Sequence, residues 1–294
     1  MNRRNFVRTI AGAALGAAAL PSLPALAAGD ASVPFKLSVM LWTVYKDLPF
    51  EQRLEKVAES GYHAVELVTE FKNWSDDDFR KANIKKRSLG ITFDSTAGVW
   101  KGIADPAARD AFLADLKNFF PVAAKLECPT IIVLSGNRVD GVSHEAHHNA
   151  CIEALKPAAD MAAKENVTLL LENIDQEENP KYFLTSVAEG FEITRKVDNP
   201  HVKFLYDFYH EQISEGNLIE KLAKNIDQVG LVHIADVPGR HQPGTGEIHY
   251  ASIYRKLAEV KYDRYAAMEF MPAGDSVAIL RAAREQVAQA VTAG

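Results

Sequence analysis

Cysteine is nearly absent: two residues in 294, Cys128 and Cys151. Two thiols do not make a disulfide framework. With Cys128 just ahead of an expected strand and Cys151 inside an expected helix, they read as small buried hydrophobes rather than as a bridge. Cationic charge is also short, with 33 Lys and Arg against 39 Asp and Glu for a net charge of −6. That balance argues against nucleic acid as a partner, since phosphate-backbone binders usually carry a basic face. The chain has no low-complexity linker, no domain-sized shift in composition and no close internal repeat. What remains is ordinary globular composition, 47% hydrophobic and 24% charged, at a length that suits one large domain.

The first residues stand apart from the rest. Arg3-Arg4 lies in Asn2-Arg3-Arg4-Asn5-Phe6-Val7, followed by an apolar run from Ile10 to Leu20 and by Pro24-Ala25-Leu26-Ala27-Ala28. A basic start, an apolar middle and a small-residue A-x-A ending form a secretory signal, and the paired arginines before Phe favour the twin-arginine route. The apolar run falls short of the ~20 residues that a membrane span needs. Residues 1–28 are therefore expected to be a signal peptide, cleaved or disordered, that engages the twin-arginine export machinery and sends the protein to the periplasm. That route carries folded proteins, so a metal could be loaded before export.

From residue 35 to residue 294, short β-branched runs alternate with longer amphipathic ones, the pattern of βα units around a parallel sheet. Strands are expected at 36–42, 63–68, 91–95, 130–134, 167–172, 202–207, 229–235 and 265–269. Helices are expected at 49–60, 76–89, 106–126, 143–165, 182–197, 217–225, 250–260 and 276–291. Eight strands and eight helices in strict order define an α/β chain folded as a single (β/α)8 TIM barrel, a fold of ~250 residues. An open doubly wound sheet also alternates β and α, but it commonly places a glycine-rich phosphate turn after its first strand. Trp42-Thr43-Val44-Tyr45-Lys46 contains no such turn.

Four apolar runs stop at an ionisable residue: Leu169-Leu170-Leu171-Glu172, Phe204-Leu205-Tyr206-Asp207, Leu231-Val232-His233 and Ala266-Ala267-Met268-Glu269. They belong to strands five to eight, and the active site of such a barrel lies where the carboxyl ends of its strands meet. Three carboxylates and one imidazole at one point suit a single hard or borderline divalent ion. Mn2+ or Mg2+ is favoured, and Co2+ or Zn2+ is compatible. Around them, His210 follows Asp207 by three residues, and the Pro238-Gly239 turn delivers Arg240, whose fork suits a carboxylate or a hydroxyl. Glu66, which closes the polar pattern of the second strand, is a further candidate for binding substrate, as is Trp42; Trp42 and Tyr45 could wall the pocket or simply pack at the barrel mouth. His147-His148 is read as a solvated surface pair; His241 and His249 are left without a role.

Glu172-Asn173-Ile174, Asp207 to Gln212, and above all the block from His233 to Ile248, with its Pro238-Gly239-Arg240 and Gly246-Glu247-Ile248, resemble the hydroxypyruvate isomerase family. That family belongs to the xylose isomerase-like barrels, with ketose 3-epimerases and a DNA-repair endonuclease as relatives. The resemblance implies that Glu172 and Glu269 are a catalytic pair as well as metal ligands, that Asp207 completes the metal site, and that His210 and Arg240 address the substrate. Where characterised hydroxypyruvate isomerases carry a glutamine as fourth ligand, His233 stands here, as in the epimerases, and Glu178 echoes a substrate-contacting glutamate of the epimerases. The expected activity is metal-dependent isomerisation of a small hydroxy-carbonyl compound, hydroxypyruvate or 2-hydroxy-3-oxopropanoate, through an ene-diolate. A ketose 3-epimerase and a non-catalytic periplasmic sugar-binding barrel are the alternatives. A homo-oligomer is compatible with this reading, and the sequence does not specify one.

Overall fold

The computed structural model describes residues 33–293. The signal assigned to residues 1–28 lies outside the described residues. Strands β1 (Lys36–Met40), β2 (Ala64–Leu67), β3 (Thr92–Ala97), β4 (Thr130–Leu134), β5 (Thr168–Glu172), β6 (Val202–Asp207), β7 (Val229–Ile234) and β8 (Tyr265–Met268) close into a barrel in sequence order. Every pairing is parallel, and β8 closes on β1 through Leu37 and Ala266. Around it run α1 (Phe50–Glu59), α2 (Asp76–Ser88), α3 (Arg109–Leu126), α4 (His144–Lys164), α5 (Val187–Val197), α6 (Phe208–Ser214), α7 (Leu218–Lys224), α8 (Tyr250–Glu259) and α9 (Ser276–Thr292). Among the described residues no helix is long and apolar enough to cross a membrane.

Helix boundaries follow their caps. Ser75 and Asp78 form a reciprocal capping box at the start of α2, and Ser143 and Asp275 cap α4 and α9 through the backbone N–H three residues on. Such caps are each worth about 1 kcal/mol. Where the sequence pattern predicts a helix from residue 182, α5 begins at Val187 because Ser186 is the residue that caps it. The buried Tyr182 instead turns back onto the barrel. Its hydroxyl accepts from Ser135 N at 2.9 Å and donates to Glu172 O at 3.2 Å. The short α6 is absent from the sequence-based expectation. It starts because Asp207 Oδ1 accepts from Tyr209 N at 2.7 Å and His210 N at 3.3 Å, so the last residue of β6 is also the cap of a helix.

The larger core fills the space between strands and helices, with Leu54 and Val57 of α1 and Leu116 and Phe120 of α3 among its members. A second, smaller core of Ile132, Leu170, Leu205, Leu231 and Ala267 fills the barrel on its β4–β8 side. Burying each large aliphatic side chain contributes roughly 1.5–3 kcal/mol. Both cysteines are free and buried. His147 and His148 are buried as well, which corrects the expectation of a solvated pair. His147 Nδ1 lies 2.7 Å from Ala104 O while its Nε2 accepts from Val139 N at 3.2 Å, and His148 Nδ1 lies 2.9 Å from Glu189 Oε1. These polar partners come from loops and from α5, which a reading of α4 alone does not reveal.

Candidate active site

Side chains alternate along a strand, so a residue two places beyond an interior residue also faces the interior. Leu170, Leu205, Leu231 and Ala267 form the apolar floor. Two residues on in each case come Glu172, Asp207, His233 and Glu269. The ladder aligns Asp207 with His233, and Glu269 is held one step beyond β8 by its N–H on Ile234 O at 3.0 Å. One ligand atom from each of the four lies within 4.8 Å of all the others, and all four residues are buried.

The charges within this cluster are unevenly met. His233 Nδ1 lies 2.5 Å from Glu269 Oε2, 3.6 Å from Glu172 Oε1 and 3.8 Å from Asp207 Oδ2. The 2.5 Å approach lacks hydrogen-bond geometry, and both atoms are buried without a hydrogen-bond partner. Burial pushes the Glu172 carboxyl up, with Glu269 adding to it and His233 opposing. Burial acts on Glu269 in the same sense, but Arg240 and His233 prevail and hold it well below the usual carboxylate range. Burial would lower His233, yet Glu66 and Glu269 raise it well above the ordinary imidazole value. Three carboxylates buried together without a cation would cost several kcal/mol per ion. The orphaned Nδ1 and Oε2, converging with two more carboxylates, fit a divalent cation.

Arg240 stands at the edge of the cluster. Its Nη2 lies 2.8 Å from Glu269 Oε1 and 3.4 Å from Asp207 Oδ2, and its Nη1 donates to the exposed Glu178 at 2.7 Å. Its guanidinium carbon lies 5.9 Å from the centre of the Trp42 ring and 5.0 Å from that of Tyr209, so the cation is walled by aromatic faces. The loop that delivers Arg240 is organised by Asp236, a buried residue to which sequence reasoning gives no role. Its two carboxylate oxygens accept from the N–H groups of Val237, Gly244, Gly246 and Ile248 at 2.8–3.0 Å. Gly246 is required there, because a Cβ would come within 2.0 Å of Val237 O.

His210 is buried beside Asp207, its Nε2 3.5 Å from Asp207 Oδ2. Its Nδ1 meets Asp175 Oδ2 at 2.6 Å. Burial opposes protonation, but Asp207 and Asp175 outweigh it and move His210 up to about 9. Asp175 is a second residue that sequence reasoning misses; three residues beyond Glu172, it looks like any loop aspartate until the fold closes. Glu66 is fully buried, and its Oε2 lies 3.0 Å from His233 Nε2. Tyr45 lies apart from the cluster, its hydroxyl 3.4 Å from Ser60 Oγ. His241 and His249 are engaged with Met271 O and Ser252 Oγ, both at 2.8 Å.

Comparison with known proteins bears on this arrangement. The family model described as xylose isomerase-like TIM barrel matches residues 54–290. The chain belongs to that family. Among its relatives, the 2-oxo-tetronate isomerase of Pectobacterium atrosepticum is 28% identical over 247 residues, 81% of this chain and 93% of the relative. The hydroxypyruvate isomerase of Escherichia coli is 28% identical over 251 residues, 84% of this chain and 97% of the relative. Among solved structures, an AP endonuclease, family 2, from Brucella melitensis superposes with a TM-score of 0.75 at 26% identity, over 84% of this chain and 96% of that one. The D-psicose 3-epimerase of Clostridium cellulolyticum, solved with D-tagatose, superposes with a TM-score of 0.70 at 20% identity, over 88% of this chain and 96% of that one. The last likeness is one of fold alone.

Proposed function

We propose that this isomerase interconverts a small 2-oxo or 2-hydroxy-oxo acid and its isomer by moving a proton between adjacent carbons, at a site that holds one divalent cation. The isomerase class follows the curated relatives, which act on hydroxypyruvate or 2-oxo-tetronate by name. The observation that carries the proposal is a pair of buried glutamates, Glu172 and Glu269, converging on one four-ligand cluster with a guanidinium at its edge. Glu172, Asp207, His233 and Glu269 would hold the cation, and three carboxylates with one imidazole suit Mn2+ or Mg2+, with Co2+ or Zn2+ compatible. Bound there, it would polarise the carbonyl and the neighbouring hydroxyl of the substrate. One of the two glutamates removes a carbon-bound proton to give an ene-diolate, and the other returns a proton to the adjacent carbon. Arg240 binds the substrate carboxylate, and His210, held cationic by Asp175 and Asp207, donates to a substrate oxygen. Trp42 closes one wall.

A second reading, epimerisation of a neutral ketose, is favoured by one contact. Arg240 Nη1 already rests on the Glu178 carboxylate, and a hydroxyl can join that pair without displacing either partner. The proposal also includes export to the periplasm, as the twin arginines at residues 3 and 4 suggest. Metal analysis of the purified protein, joined to turnover assays with hydroxypyruvate against a panel of ketoses, tests these readings. Bound metal with preference for the hydroxy-carbonyl acid is the expected result. No bound metal and no turnover would leave a sugar-binding barrel without catalysis.

A further inference from the structure

The barrel interior has a polar side. Opposite the apolar residues of β4–β8, strands β1–β3 contribute Ser38, Glu66 and Asp94, all buried. Glu66 faces inward beside Met40 of β1 and Ser95 of β3, at a register shift that follows Val65. Ser38 donates to Asp94 Oδ1 at 2.5 Å. Burial, aided by the Glu66 charge, moves Asp94 up to about 8, so it is largely neutral near pH 7. Glu66 has its one hydrogen bond, among the described residues, with His233; its other oxygen, Oε1, is buried without a partner.

The direction of that bond decides what His233 can do. Burial raises the Glu66 carboxyl and the His233 charge opposes it; with Oε2 as the acceptor 3.0 Å from Nε2, the ring proton lies on Nε2. The lone pair of the neutral ring then belongs to Nδ1, the nitrogen that faces Glu172, Asp207 and Glu269. We propose that Glu66 is the positioning residue of the metal centre: it selects the His233 tautomer, fixes the ring plane and strengthens Nδ1 as a donor, without touching substrate or metal. A carboxylate behind a metal-binding histidine is a known way of tuning a site, and its loss typically costs 10–100-fold in metal affinity. Glu66 lies on the far side of the imidazole, against Nε2, while Nδ1 faces the three carboxylates of the cluster. This inference rests on the metal reading given above.

Metal binding separates the two. Chelator-treated parent, E66Q and E66L proteins are titrated with Co2+ by calorimetry, and the visible absorption of bound Co2+ is recorded. E66L is expected to bind about 10–100-fold more weakly with an altered Co2+ spectrum. E66Q, whose amide oxygen can still accept the Nε2 proton, is expected to recover part of that loss. The melting temperature of each metal-free variant shows whether it folds, and if E66L does not, the near-isosteric E66Q carries the comparison with an expected loss of about threefold or more. Parental affinity and spectrum in the variants that fold would overturn the role of Glu66 and leave the metal reading standing. Failure of the parent itself to bind Co2+ would overturn the metal reading and this inference with it.

Discussion

Arg240 and Glu178 meet at 2.7 Å on the rim of the barrel, while the other end of the same guanidinium lies 2.8 Å from Glu269. A substrate carboxylate would take the place of Glu178 and exploit the fork, whereas a neutral hydroxyl would need only one donor. R240K keeps the positive charge beside Glu269 and Asp207 but loses the two-pronged geometry. With hydroxypyruvate, kcat/KM is expected to fall by about one to two orders of magnitude, the equivalent of a charged hydrogen bond of ~1.5–3 kcal/mol. With a neutral ketose the change should stay within about threefold. Equal losses on both substrates would refute the carboxylate role of Arg240.

Glu172 and Glu269 are the two carboxylates proposed to transfer protons. E172Q and E269Q retain an oxygen toward the cluster and should preserve the fold, as judged by circular dichroism and melting temperature. Each should lower kcat by about 10²–10⁴, the range for loss of a general acid or base. Because both are also proposed ligands, turnover should be measured at a metal concentration that saturates the variant. Activity within tenfold of the parent in either variant would remove that glutamate from proton transfer.

Glu211 gives the fold a pH dependence outside the cluster. Its carboxyl is buried on α6, and burial moves it up to about 7 from an ordinary 4.5, with Lys221 opposing at 2.5 Å. The folded chain therefore holds this proton more tightly than the unfolded one does. The contribution is fully present below about 4.5 and is lost as the pH rises through about 7. Each tenfold gain in proton affinity is worth ~1.4 kcal/mol, so the loss is on the order of 3 kcal/mol. Urea unfolding of metal-free parent and E211Q protein between about pH 5 and 8 should show a steeper decline in the parent. Parallel curves would contradict it.

For the proposed export, replacing Arg3 and Arg4 together by lysine should leave unprocessed protein in the cytoplasm. Cell fractionation and the mass of the product are the measurements. Periplasmic protein in unchanged yield would refute the twin-arginine assignment.

The barrel is legible in the chain because strand and helix periodicities are local, and so are the glycines and caps that punctuate them. Leu170-x-Glu172, Leu205-x-Asp207, Leu231-x-His233 and Ala267-x-Glu269 share one period-two pattern, so their common face can be read from the chain alone. Asp236 and Asp175 escape such a reading because their partners, backbone amides and a histidine, are brought close only by loop closure.

What the sequence determined by itself was the order of the elements and the inward side of each strand, since alternation along a strand does not depend on its neighbours. Which residues then meet across the barrel was decided by the tertiary structure. Glu66 has the same inward parity as a pocket residue, yet the closed barrel sets it behind His233, and loops from elsewhere in the chain bury His147. Such partners depend on register shifts, strand stagger and loop paths, and these are set by packing among segments far apart in sequence.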